Sequence, residues 1–234
     1  MSLETLMPNV MAYTDKLETA VIATLQMFLI SGVFTLIFGF ILGILLIVTK
    51  SDGIAPNKVV YYIVTIFTNF FRAIPFVILL IFLIPFTRML VGTSIGVTGA
   101  IVPLVFGATP FFTRQVESVL AGVDPGKIEA ARSMGCSVPD IIFRVYLAEA
   151  VPDLWRAVTI TAISIVGLTT MAGAVGAGGI GSFAINYGQN LHHQDVVNVC
   201  VVILLVFVTI LQTVGNLLAK KTTNRKIFAK KVTI

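Results

Sequence analysis

Long, continuous apolar runs alternate along the chain with short polar stretches. The runs fall at about residues 21–48, 59–86, 95–112, 154–171 and 196–219. Each reaches the roughly 17–25 residues that carry a helix across a bilayer core. None shows the period-two alternation of a lipid-facing barrel strand. Only helices and closed barrels satisfy every backbone polar group inside lipid, so the pattern predicts an all-α integral membrane protein with five spans. Proline and glycine mark where those helices should depart from regularity. Pro75 and Pro85 predict that the second run is kinked or divided, because Pro75 cannot donate to the carbonyl of Phe71. Pro103 and Pro110 lie in the third run. Gly39 and Gly43 form a GxxxG pair in the first, a spacing that lets two helices approach closely.

The polar stretches are uneven. A turn at 49–53 follows the first run, and a short loop with Arg88 and Gly-Thr-Ser-Ile-Gly (92–96) follows the second. The longest stretch, about 113–153, holds six of the eleven acidic residues. Residues 172–181 include five glycines, a polar segment occupies 186–195, and a basic tail covers 220–234. No low-complexity linker or internal repeat interrupts the sequence, which predicts a single transmembrane domain over 1–234.

Composition narrows the class further. Of 234 residues, 57% are hydrophobic and 12% charged, about half the charged share of an ordinary soluble domain. A water-soluble enzyme cannot bury that much apolar surface, and a disordered chain would be far more polar. The net charge of +5 is read with the membrane, since excess Lys and Arg marks cytoplasmic loops and anionic headgroups. No basic–aromatic interleaving suggests nucleic acid. With five spans and an inside C-terminus, thirteen of the sixteen Lys and Arg fall inside. Lys16 and Arg88 fall outside, and Arg72 lies within a span. The bias places the N-terminus outside, the 113–153 stretch in the cytoplasm and the glycine-rich segment on the outer half. The N-terminus lacks the positive region of a cleaved signal peptide. Cys136 and Cys200 suggest neither a disulfide nor a metal site.

Within the long loop, residues 124–140 read as helix, stop, helix. Asp124 can cap a helix and Pro125 suits its first position. Gly135 fits a left-handed stop, and Ser137 with Asp140 forms a capping box for the next helix. On residues alone, this is either a rigid knob for another protein or a loop returning the chain to the membrane.

Glu129-Ala130-Ala131, followed after three residues by Gly135, resembles the EAA signature of ABC-importer permeases. The family pattern continues to a Leu-Pro pair, where this sequence has Leu147-Ala148, with Pro152 arriving later. Further segments resemble methionine-importer permeases: residues 71–76 (Phe-Arg-Ala-Ile-Pro-Phe), 84–88, 91–96 and 173–179. The resemblance implies type I importer architecture in a bacterial plasma membrane. It implies a homodimeric permease with two ATP-binding cassette subunits and an extracytoplasmic lipoprotein that delivers methionine. It makes the loop a coupling helix, with Glu129, Ala130, Ala131, Arg132 and Gly135 as the ATPase-coupling residues. No GxxxxGK[ST] loop occurs in the sequence, so ATP and Mg are expected on the partner subunit, with no catalytic residue or cofactor in this chain.

The substrate path is expected along span four and the glycines after it. Thr161, Ser164, Thr169 and Thr170 offer uncharged hydrogen bonds. Met171 is either a soft plug or, with the glycines, a packing residue. Glu129 either pairs with a basic group of the ATPase or caps locally. Arg72, the lone charge inside a span, either faces the cavity or partner copy or pairs with carbonyls freed near Pro75. His192, His193 and Asp195 read as polar loop, not as a metal site. Among rivals, an ion-coupled secondary transporter lacks intramembrane Asp, Glu or His, an embedded enzyme lacks a nucleophile–base pair, and a purely structural membrane subunit leaves the EAA loop unexplained. An ABC permease for another amino acid or small solute is the alternative within the family.

Overall fold

A computed structural model of the chain describes residues 7–232, with side chains to residue 223. The side chains of Arg225, Lys226, Lys230 and Lys231 in the basic tail lie outside the described residues. Every regular element described is helical. In chain order these are α1 (Pro8–Ala12), α2 (Thr14–Thr49), α3 (Lys58–Ala73), α4 (Phe76–Phe82), α5 (Ile84–Val91) and α6 (Gly96–Ala121). There follow α7 (Pro125–Ser133), α8 (Val138–Asp140), α9 (Ala148–Ala172), α10 (Gly179–Phe183) and α11 (Gln194–Val232). Wider π-helical turns cover Ile141–Leu147 and Ala184–Gln189, and Gly173–Ala177 is a kinked turn in which Val175 and Gly176 leave helical geometry. Among the described residues, four helical runs are long and apolar enough to cross a membrane, or five if the broken pair α3 and α4 counts as one.

Several boundaries differ from expectation. Helix α2 starts at Thr14 rather than near residue 21, because a helix does not stop where its apolar residues begin and nothing before Thr49 ends it. The second run is divided, one of the two outcomes its prolines predicted. Helix α3 ends at Ala73, and Pro75 (φ −55°, ψ 134°) stands in extended geometry before α4. Pro85 falls in the first turn of α5, where a missing N–H costs nothing. Arg88 is therefore helical, not in a loop, and donates from Nε to Ser94 Oγ at 2.9 Å. The 113–153 loop is much shorter than expected. Helix α6 continues through its polar end to Ala121, and helical turns resume at Val138. Polarity marked where the lipid stops, which is not where the helix stops. Likewise, part of the polar 186–195 segment is the helical turn Ala184–Gln189.

The chain gathers into two compact units. Among the described residues, the first comprises those up to Thr35 with Ala73–Ala108 and Ala162–Leu211; the second comprises Leu36–Arg72, Thr109–Thr161 and those from Gln212 onward. Within the first unit, one apolar cluster joins Val10, Ala20, Ile180, Phe183, Val196 and Cys200. Another joins Met27, Leu80, Ala100, Leu104, Ala172 and Ala177. The side chain of Asp195 accepts from the backbone and side chain of Asn9, both at 3.0 Å, which pins α1 to the start of α11.

The second unit is built on a close helix crossing. A Cβ on Gly39 would come within 2.7 Å of Phe112 Cδ1, and one on Gly43 within 2.6 Å of Val116 Cβ. The GxxxG pair thus lets α2 and α6 approach as its spacing predicted. Around this crossing lie Ile47, Val48, Phe112, Val116, Leu120, Ala131, Ile141 and Tyr146. Elsewhere the pattern is that of a lipid-solvated helix. The buried stripe of α2 carries Thr24, Ser31, Thr35, Gly39 and Gly43, whereas Leu29, Val33, Phe34, Ile37, Phe38 and Ile41 are exposed. Small and hydroxylated residues make up most of the buried stripe between Thr24 and Gly43, with Met27 buried among them, and those exposed large apolar residues face outward. Most of the buried hydroxyls donate back to their own helix, as Ser31 does to the Met27 carbonyl at 2.6 Å.

Candidate functional site

Helix α7 is stopped at both ends by its own residues. The Gly126 N–H donates to Asp124 Oδ1 at 2.9 Å, and Pro125 occupies the first position. At the other end Gly135 has φ +78°. Its N–H donates to the Arg132 carbonyl (3.0 Å), and the Cys136 N–H donates to the Ala131 carbonyl (3.1 Å). Those two bonds are a Schellman stop, which needs a left-handed residue at Gly135. Ser137 then begins the next helical stretch, accepting from the Asp140 N–H at 3.4 Å while its hydroxyl donates to the Asp140 carboxylate. The expected helix, stop and capping box are all present.

One face of α7 is seated. Ala131 is buried, and Ile128 is half-buried against the same cluster as Ile47, Leu120, Ile141 and Tyr146. An ion pair from Lys127 Nζ to Glu149 (3.0 Å) ties the helix to the first turn of α9. The other face is bare. Glu129, Ala130, Arg132 and Ser133 are exposed, and Met134 is 75% exposed. Glu129 lies on this exposed face. Two clefts open beside the helix. One, of about 570 Å³, is lined by Lys50, Asp52, Glu129 and Arg132 above Ile47, Ile54 and Tyr146. There Lys50 Nζ lies 3.0 Å from Asp52, and its hydrogen bond holds the Asp52 carboxyl below the usual carboxylate range. The other, of about 560 Å³, is lined by Gln115, Ser118, Asp124, Lys127, Glu149, Asp153 and Arg156.

The expected path residues divide by burial. Thr161 is buried and donates to the Ala157 carbonyl (2.8 Å); Thr169 is buried and donates to the Val166 carbonyl (2.8 Å). Ser164 is half-buried, as is Thr170, which also donates to Val166 at 3.0 Å. Met171 is 50% exposed, and Gly167, one helical turn before it, is exposed too. Arg72 is exposed in the last turn of α3, next to the break at Pro75 rather than deep within a continuous span.

The glycine run forms an elbow after α9. Gly176, Gly178 and Gly179 have φ of +92°, +82° and +79°, a region costly for side-chain-bearing residues. A Cβ on Gly173 would come within 2.5 Å of the Ser182 backbone nitrogen, and one on Gly181 would strike the Thr170 carbonyl. These two glycines let backbone meet backbone, while Ala174, Val175 and Gly176 between them stay exposed. Two contacts had no signal in the sequence: the Lys127–Glu149 pair, and the bond from the Ile180 N–H to Thr24 Oγ1 (2.8 Å). Each joins residues whose adjacency only the folded chain creates. Among the described residues, no three His, Cys, Asp or Glu come together as a metal cluster.

Several known proteins share this architecture. A probable D-methionine transport system permease of Vibrio cholerae is 41% identical over 91% of this chain and 94% of its own length. The methionine import system permease MetP of Bacillus subtilis is 43% identical over 74% of this chain and 78% of its own. In a solved structure of the MetNI methionine ABC transporter in inward-facing conformations, a chain superposes with a TM-score of 0.87 at 43% identity, covering 90% of this chain and 98% of that one. A chain from a solved amino acid ABC transporter, at 17% identity and a TM-score of 0.76, shares the fold. Residues 36–224 match the family described as the inner membrane component of binding-protein-dependent transport systems, and with relatives this similar over nearly its whole length the chain belongs to that family.

Proposed function

We propose that this chain is the permease subunit of an ATP-driven methionine importer in a bacterial inner membrane. The observation that carries the reading is α7: a doubly capped helix, seated by Ala131 and bare along Glu129 and Ala130, in a chain over 40% identical to methionine permeases. Residues 1–234 act as one transmembrane domain with five spans, α3 and α4 together forming the second. The thirteen-to-two distribution of Lys and Arg supports an outside N-terminus and a cytoplasmic C-terminus.

Two copies of the chain form the path, and two ATP-binding subunits hold ATP and Mg. An extracytoplasmic lipoprotein delivers methionine, and the basic tail meets anionic lipid headgroups. Helix α7 is the coupling helix. Glu129, Ala130 and Arg132 meet the ATPase, Ala131 anchors the helix to its own subunit, and Gly135 ends it. ATP draws the two coupling helices together and tilts the bundle from inward-open to outward-open; hydrolysis resets it. Each step requires a ligand that binds one bundle state better than the other. Met171, with Ser164 and Thr170 on either side of Gly167, lines the constriction, and Thr161 and Thr169 brace α9 from within the protein. Arg72 faces the cavity or the second copy. The Met side chain is apolar and polarisable, so it closes a passage without binding the methionine zwitterion tightly.

Reconstitution in liposomes with the ATPase and binding protein tests this. ATP-driven uptake should favour methionine over other amino acids. Equal uptake of unrelated amino acids would refute the substrate. A Met171→Ala permease should leak without ATP; a tight variant would remove Met171 from the constriction.

A further inference from the structure

We propose that Thr24 is a latch, a positioning residue that holds the glycine elbow after α9 and so sets the exposed ridge of Met171, Ala174 and Val175. The inference rests on the reading that this ridge lines the path. The elbow is packed at Gly173, Ala177 and Gly181, but its helical hydrogen bonding is interrupted between them. Val175 and Gly176 depart from helical geometry, and three glycines stand at positive φ. At its end, α10 begins without a cap from its own residues, so its first N–H groups need an outside partner. Thr24, on α2, supplies it. The side chain is 3% exposed, and its Oγ1 accepts from the Ile180 N–H at 2.8 Å across 156 residues of sequence.

The direction of the bond matters. The Thr24 hydroxyl already donates its hydrogen to the Ala20 carbonyl at 3.0 Å, which leaves a lone pair aimed at Ile180. Gly179 seats the backbone directly on this hydroxyl, since a Cβ there would come within 2.7 Å of Thr24 Oγ1 and 2.9 Å of Met27 Cε. Thus one acceptor joins α2 to the end of the elbow where α10 begins. Serine keeps that acceptor; valine has nearly the same shape and lacks it. A buried donor left without a partner is costly, so the elbow in Thr24→Val must open or turn to water.

The test compares Thr24→Val and Thr24→Ser in the complete importer, reconstituted with its ATPase and binding protein. Two quantities are read: hydrogen exchange at the Ile180 amide, and solute imported per ATP hydrolysed. In the valine variant, exchange should rise at least about 5-fold and uptake per ATP should fall, with passive leak appearing; serine should match the parent in both. Thr24→Ala serves the same comparison where the valine protein does not accumulate. Unchanged exchange, or faster exchange with parental coupling, would overturn the latch. If the parent imports a solute other than methionine, the same two ratios are read with that solute, so an error in the substrate is distinguishable from an error in the latch.

Discussion

Replacing Gly135 isolates the contribution of a single backbone angle to coupling. The residue stands at φ +78°, and a Cβ there would meet nothing within 4 Å. Sterics with neighbours therefore contribute nothing, and the cost of a side chain is conformational. For an L-residue that cost is about 1–2 kcal/mol in the left-handed region, greater for a β-branched one. A chain that escapes the strain by leaving that region gives up the two Schellman bonds, at about 0.5–1.5 kcal/mol each. Either way, the capped state of α7 loses roughly a factor of 5–30 against its frayed alternatives. Because Gly135 is exposed and its Cβ meets nothing, global stability should fall by no more than about 1–2 kcal/mol. Coupling should fall in the order Gly, Asn, Ala, Val, since Asn tolerates the left-handed region best among non-glycines. The assay is uptake per ATP hydrolysed in proteoliposomes, alongside thermal unfolding of the purified permease. Parental coupling in Gly135→Val, or a series ordered by side-chain size with Asn below Ala, would refute the reasoning.

Other substitutions separate seat, strut and scaffold. Gly43→Val should destabilise the second unit by about 1–3 kcal/mol through overpacking against Val116, whereas Gly32→Ala, with open space around it, should be neutral or gain about 0.5–1 kcal/mol; thermal unfolding in detergent reads both. Ala131→Glu buries a charge under α7 and should abolish ATPase association with loss of fold stability, while the neighbouring Ala130→Glu should weaken association and leave unfolding unchanged. Charge reversal at Lys127 or Glu149 alone should cost at most about 1 kcal/mol, as their exposure predicts, and the double reversal Lys127→Glu with Glu149→Lys should restore parental stability and coupling.

What could be read from the sequence follows from local physics. Apolar runs had to be helices because lipid leaves a backbone no other partner. Asp124, Pro125 and Gly135 described helix α7 because caps and stops are decided within a few residues, and each takes the position its chemistry implies. Gly39 and Gly43 announced a close crossing by their spacing. Helix ends were less legible: α6 runs to Ala121 and α2 begins at Thr14, since hydropathy reports the solvent around a helix and not its hydrogen bonds.

Which distant residues would meet was not legible. The sequence offered Thr161 and Thr169 on equal terms with Met171, and only the packing shows that the two threonines are buried and satisfied by their own helix while Met171 stands out. The same holds for Ala131, which is buried while its neighbours Ala130 and Arg132 are exposed. It holds for Thr24, whose hydroxyl meets an amide 156 residues away. Sequence by itself settled the solvent, the helices and the local stops. Burial and long-range bonding were decided by which faces meet when the helices assemble, because a contact between distant residues depends on the rotation and register of both helices.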